Sequence, residues 1–154
     1  NRICNKVEIE KMTRWLKSKL MIFISAFIFG QFALAAEDTP DSIMGTIKVT
    51  AEKLFELVDD FDDLVIIDAR KTEDREKGYI EGSLGIPDTD MNPAVLAKHL
   101  ATKKTPVIFY CNGPKCGRSV KSSKMAVAEG YKNIYWFRGG WEEWSNKGLP
   151  VTKD

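Results

Sequence analysis

Histidine is nearly absent. The 154 residues contain only His99. Cysteine is scarce as well, with Cys4, Cys111 and Cys116. A structural zinc site normally draws four ligands from Cys and His, so no metal centre is expected. General-base chemistry by imidazole has only His99 to use. That residue falls on a helix pattern away from any matching motif, which gives it a surface or half-buried role. No internal repeat or low-complexity segment is evident. A large charge excess is missing too, since the net charge is +1. That balance hides a split. Residues 1–35 hold six Lys/Arg and two Asp/Glu, whereas residues 36–154 hold seventeen and twenty. The main part is therefore mildly acidic, which argues against a nucleic-acid partner, because such proteins usually present a basic face.

Long apolar runs are also lacking. The longest, Leu20 to Phe29, is broken by Ser25 and ends at Gly30-Gln31. That is short for a membrane span. A basic stretch, Lys11 to Lys19, precedes it, and Ala33-Leu34-Ala35 follows it. This is the three-part layout of a secretory signal peptide, with cleavage expected after Ala35. An uncleaved anchor is the alternative. Met12 reads as the natural start, which leaves residues 1–11, with Cys4, as upstream sequence without a role. The mature protein is then expected to be exported to a bacterial periplasm, with no membrane attachment. In that compartment paired cysteines tend to close, and only Cys111 and Cys116 remain.

What is present centres on Val107 to Gly130. Val107-Ile108-Phe109-Tyr110 is a short β-branched and aromatic run and reads as a buried strand. Cys111 stands at its end. Asn112-Gly113-Pro114 must turn, and a helix is expected from about Arg118 to Glu129, stopped by Gly130. A thiol held before a helix amino terminus meets unpaired N–H groups and the positive end of the macrodipole. Lys115 and Arg118 add formal charge. Such a setting favours the thiolate, which is the nucleophile. The bland alternative is a small buried hydrophobe.

The rest of the chain alternates strand and helix patterns. Residues 36–45 are polar with turn formers and read as a mobile lead-in. Strands are expected at 46–49, 64–67, 84–86 and 134–137, and helices from Thr50, Thr72, Pro93 and Trp141. Asp59 to Asp63 reads as a solvated acidic turn. The alternation implies right-handed βαβ crossovers and an α/β fold with a mainly parallel sheet covered on both faces. Reactive groups gather at the carboxyl ends of such strands, where Asp68, Arg70, Cys111 and Arg138 stand.

Three stretches together resemble the rhodanese family. Ile66 to Arg70, Asp74, Gly78 to Ser83 and Ile86-Pro87 are similar to its first signature. Phe137 to Gly140, Trp144 and Gly148 to Val151 are similar to its closing one. Cys111 falls where the family keeps its catalytic cysteine. The resemblance implies a single rhodanese-like domain over 46–154, with a five-stranded mainly parallel sheet and helices on both faces. It also implies sulfurtransferase chemistry of the thiosulfate sulfurtransferase kind, without metal or organic cofactor. Cys111 would take sulfane sulfur from a small anionic donor such as thiosulfate. It would pass it as a persulfide to cyanide or a thiol, a protein thiol included. The loop Asn112, Gly113, Pro114, Lys115, Cys116, Gly117 and Arg118 would hold the persulfide. Asp68, Arg70 and Arg138 belong to the structural signature.

The departures are specific. Tyr79 replaces the family's usual His and reads as structural. The loop from Cys111 is longer than in many members. Related phosphatases and arsenate reductases end this loop in Arg, but the corresponding position is Gly117, one before Arg118. Cys116 reads as a bystander in the loop wall, a resolving thiol, or itself the nucleophile. The spacing is not C-x-x-C, so a thioredoxin-type pair is weakly supported. A thiol–disulfide enzyme using both cysteines and a non-catalytic binding module are the competing functions.

Overall fold

The computed structural model describes residues 39–153. The signal-peptide reading of residues 1–35, and Cys4 with it, lies outside the described residues. Five strands form one parallel sheet in the order β1-β5-β4-β2-β3. They are β1 (Ile47–Val49), β2 (Val65–Asp68), β3 (Leu84–Gly85), β4 (Val107–Tyr110) and β5 (Ile134–Phe137). The connecting helices are α1 (Ala51–Asp60), α2 (Thr72–Arg75), α3 (Pro93–His99), α4 (Arg118–Ala128) and α5 (Gly140–Asn146). The expected fold class and element order are both found.

Local signals explain the element ends. Thr50 caps α1 by accepting from the Lys53 amide, and Asn92 caps α3 from Ala94 and Val95, with Pro93 in the first turn. Helix α4 is different: its N-cap position is Gly117, with no side-chain cap.

Side chains on β4 alternate between two cores, as the pleat requires. Ile108 and Tyr110 join Leu54 and Leu57 of α1 and Trp144 of α5. Val107 and Phe109 join Leu96 of α3 and Ala126 of α4. Both faces are thus covered, which is why β4 reads as an unbroken apolar run. Each fully buried Val, Leu, Ile or Phe among them contributes about 1.5–3 kcal/mol.

Register then sets the site. Asp68 pairs with Tyr110, and Tyr110 with Phe137. The chain therefore leaves three adjacent strands at one level, as Ala69, Cys111 and Arg138.

The lead-in is a correction. From Thr39 on, the segment read as mobile is fastened to the domain. Ile43 is buried with Val120 and Trp136. Arg138 Nε donates to the Pro40 carbonyl at 3.1 Å and its Nη2 lies 3.3 Å from Asp41 Oδ1. The Thr39 hydroxyl donates to the Pro114 carbonyl. Composition marked the stretch as polar, but one apolar residue and a distant arginine anchor it.

Beneath the carboxyl ends lies a buried polar network. Asp68 and Arg70 are fully buried, with Arg70 Nη2 2.7 Å from Asp68 Oδ2 and Nε 2.9 Å from Oδ1. Tyr110 Oη donates to Asp68 Oδ2 at 2.8 Å, and Arg75 Nη1 reaches the same oxygen at 3.2 Å. Arg70 also donates to the Gly78 carbonyl and lies 4.6 Å from the Trp141 ring centroid. Tyr79 pairs in antiparallel fashion with Thr152 and stacks under Arg75. These residues fasten loops to strand ends.

A buried ion pair broken on one side leaves an uncompensated charge, which costs about 3–5 kcal/mol. Arg70→Ala is expected to lower the unfolding free energy by about that much, read from the urea midpoint. A loss under about 1 kcal/mol would contradict the role given to Arg70.

Candidate active site

The sulfurs lie between β4 and the open end of α4. The first turn of a helix has N–H groups without intrahelical partners. No side chain caps α4, so two sulfurs take that place. Ser119 points both its O–H and its N–H at Cys111 Sγ, with the hydroxyl at 3.3 Å. Trp136 Nε1 donates to Ser119 Oγ at 3.0 Å, which frees the hydroxyl hydrogen for the sulfur. The backbone N–H groups of Arg118 and Asn112 point at the Cys116 sulfur, and Arg118 Nη1 lies 3.6 Å from it. Both cysteines are free thiols.

The two thiols interact directly. The Cys111 S–H faces Cys116, 3.1 Å from its carbonyl oxygen and within reach of its sulfur. This contact, then the N–H groups of Arg118 and Asn112 and the Arg118 charge, hold the Cys116 thiol down at about 5, against burial. The same contact, together with burial, pushes the Cys111 thiol up. The pair therefore gives up its first proton readily and its second with difficulty.

Exposure separates the two sulfurs. Cys111 is 2% exposed, whereas Cys116 is half-buried. A cavity of ≈ 560 Å³ opens beside them, lined by Asn112, Gly113, Lys115, Cys116, Gly117 and Arg118, with Asp88 and Glu142. Cys111 is buried and is not part of this lining. Asp88 sits 3.6 Å from Arg118 Nε and 3.3 Å from Lys121 Nζ.

Neighbouring elements fix the loop. Asn112 Nδ2 donates to Asp74 Oδ2 at 3.0 Å. Trp141 N–H donates to the Cys111 carbonyl and Glu142 N–H to the Asn112 carbonyl, both at 2.8 Å. Gly140 makes this approach possible. Its φ is +55°, and a Cβ there would collide with the Cys111 carbonyl oxygen.

Of the residues singled out in the sequence, Cys111, Asn112, Gly113, Lys115, Cys116, Gly117 and Arg118 gather here. Pro114 is held by Thr39 outside the cavity lining. Asp68 and Arg70 are in the buried network, and Arg138 faces the lead-in, so none of the three meets the cavity. Sequence reasoning missed Ser119, Trp136, Asp88 and Glu142. Only Ser119 carried a signal, as a hydroxyl in the first turn of a helix that lacks a cap.

Residues 50–147 match the family model described as Rhodanese-like domain. The chain belongs to this family. The Drosophila melanogaster rhodanese domain-containing protein CG4456 is 28% identical over 96 residues, covering 55% of this chain and 85% of its own. The tRNA uridine(34) hydroxylase of Photorhabdus laumondii is 32% identical over 108 residues, covering 66% of this chain but only 30% of the hydroxylase. Among solved structures, a polysulfide-sulfur transferase homodimer from Wolinella succinogenes has the same fold. Its TM-score is 0.59 at 21% identity, covering 71% of this chain and 80% of that one.

The shared proton gives a titration signature. The reduced protein is expected to gain about one thiolate as pH rises through about 5, and to hold it through neutrality, read by ultraviolet thiolate absorbance. Cys111→Ala removes the thiol that holds Cys116 low, so the transition should move upward. No thiolate below about pH 8 in the wild type, the range of an ordinary cysteine, would contradict the geometry.

Proposed function

We propose that this protein is a sulfurtransferase in which Cys111 carries sulfane sulfur as a persulfide. Membership of the rhodanese-like family supports sulfur transfer as the general chemistry. The observation that carries the specific reading is the setting of the Cys111 sulfur. It lies at the end of the central strand, facing the hydroxyl and amide of Ser119 on the uncapped helix α4. Persulfide and thiolate are both anionic, so the same N–H groups and dipole stabilise each.

The donor is a small sulfane sulfur anion of the thiosulfate type. A thiolate attacks its outer sulfur, an S–S bond forms, and sulfite leaves with the electron pair of the broken bond. The acceptor is cyanide or a thiol, including a protein thiol. Cyanide removes the outer sulfur as thiocyanate and returns the thiol. No metal or organic cofactor enters the reaction. Lys115 and Arg118 line the cavity and favour an anionic donor, while Asp88 and Glu142 restrain how much negative charge enters. The place of action is the exported compartment set by the leader at 1–35.

A second reading is a thiol–disulfide enzyme that closes Cys111 to Cys116. The Cys111 S–H turned toward Cys116 favours it. Dephosphorylation finds less support, because Arg118 is shared between Asp88 and the Cys116 sulfur.

The test is the intact mass of reduced protein after thiosulfate, with cyanide added next. A gain of one sulfur atom, lost to cyanide, is expected, with stoichiometric thiocyanate. No sulfur on the fully reduced wild type from thiosulfate or a polysulfide would contradict the reading. A loss of two hydrogens instead would favour the disulfide enzyme.

A further inference from the structure

The cavity wall includes Cys116, whereas Cys111 is buried and has no part in it. That arrangement is at odds with direct attack by Cys111 on a donor arriving from solvent. Resting on the sulfurtransferase reading above, we propose that Cys116 is a second catalytic thiol, the one that takes sulfur from the donor and hands it inward to Cys111.

Three observations place Cys116 at the entry. It forms part of the cavity wall together with Lys115 and Arg118, the two cations that would meet an anionic donor. Its sulfur receives the N–H groups of Asn112 and Arg118 and the Arg118 guanidinium, a set of donors arranged to hold a negative charge. Cys111, by contrast, is 2% exposed and turns its S–H toward Cys116. The outer sulfur thus meets the cavity and the Arg118 guanidinium, and the inner one lies against Ser119 at the helix end.

The chemistry balances without an added oxidant or reductant. The Cys116 thiolate attacks the outer sulfur of thiosulfate. A Cys116–sulfur bond forms, the donor S–S bond breaks, and sulfite departs with the electron pair. Cys116 now carries an anionic persulfide beside the Cys111 thiol. The Cys111 sulfur bonds to that terminal sulfur and its proton passes to it. The Cys116–sulfur bond breaks, and its electron pair returns to Cys116 as thiolate. The product is a Cys111 persulfide and a regenerated Cys116 sulfur, and the pair still holds one proton and one negative charge. Cyanide then takes the terminal sulfur and leaves the Cys111 thiol. Ser119, through its O–H and N–H, receives the sulfur-bearing Cys111, so the transfer moves sulfur toward the helix end.

The sequence allows the two sulfurs to be told apart. Trypsin cuts after Lys115, which puts Cys111 and Cys116 on separate peptides. Reduced full-length protein is loaded with thiosulfate, quenched with an alkylating agent and mapped by mass. In wild type the sulfur is expected on the Cys111 peptide. In Cys111→Ser, and in Cys111→Ala as a second variant, it is expected to stop on Cys116–Arg118. In Cys116→Ser, with folding checked by circular dichroism, single-turnover loading of Cys111 should slow at least about tenfold, equal to about 1.4 kcal/mol in barrier. Loading of Cys111 at the wild-type rate in Cys116→Ser would overturn the relay and leave the Cys111 persulfide standing. An absence of sulfur on Cys116 in both Cys111 variants would overturn it as well. Failure of the wild type to take up any sulfur would instead remove the sulfurtransferase reading, and the relay with it.

Discussion

Helix α4 starts without a side-chain cap, and the rest of the site depends on that vacancy in its first turn. Free N–H groups inside a folded protein demand acceptors. Here the acceptors are sulfurs. Ser119 turns its amide and hydroxyl to Cys111, and the Arg118 amide turns to Cys116. One helix end therefore holds two thiols close enough to share a proton. A capping side chain in place of Gly117 would satisfy the Ser119 amide and take that support from the Cys111 sulfur.

The remaining structure keeps that arrangement in place. The parallel register brings β2, β4 and β5 to one level, so Cys111 emerges from the middle of the sheet. Helix α5 clasps the loop backbone through the Trp141 and Glu142 amides, an approach that only a glycine at 140 permits. Trp136 fixes Ser119, and the network around Asp68 and Arg70 fastens the loops on the far side of β4. Of these groups only Glu142 lines the cavity, yet each limits where a sulfur can lie. The conformational freedom they remove is what turns two ordinary thiols into an ordered pair.

Much of the fold was legible in the sequence because it rests on local signals. β4 was visible as Val107 to Tyr110, since both of its faces are apolar. α3 was visible from Asn92 and Pro93, and the turn after Cys111 from Gly113 and Pro114. The cavity loop was legible for the same reason, being one contiguous stretch. What escaped depends on contacts distant in sequence. Trp136 was read only as part of a strand, and its bond to Ser119 spans the α4–β5 connection. Asp88 and Glu142 reach the cavity from separate connections. Ile43 falls in a stretch whose composition reads as a mobile lead-in, because one apolar side chain in a polar run gives no periodicity. The exposure of Cys116 relative to Cys111 also could not be read from spacing, because loop composition does not say which side chain faces the cavity.

The two sulfurs stand in different settings, Cys116 in the cavity wall and Cys111 buried at the helix end. A high-resolution crystal structure of reduced protein briefly exposed to thiosulfate tests this most directly. Difference density for one additional sulfur is expected on Cys111 Sγ, facing the Ser119 amide, with Cys116 unmodified and lining the cavity. A Cys111 sulfur turned out into the cavity, with Cys116 rotated away and no contact between them, would contradict it.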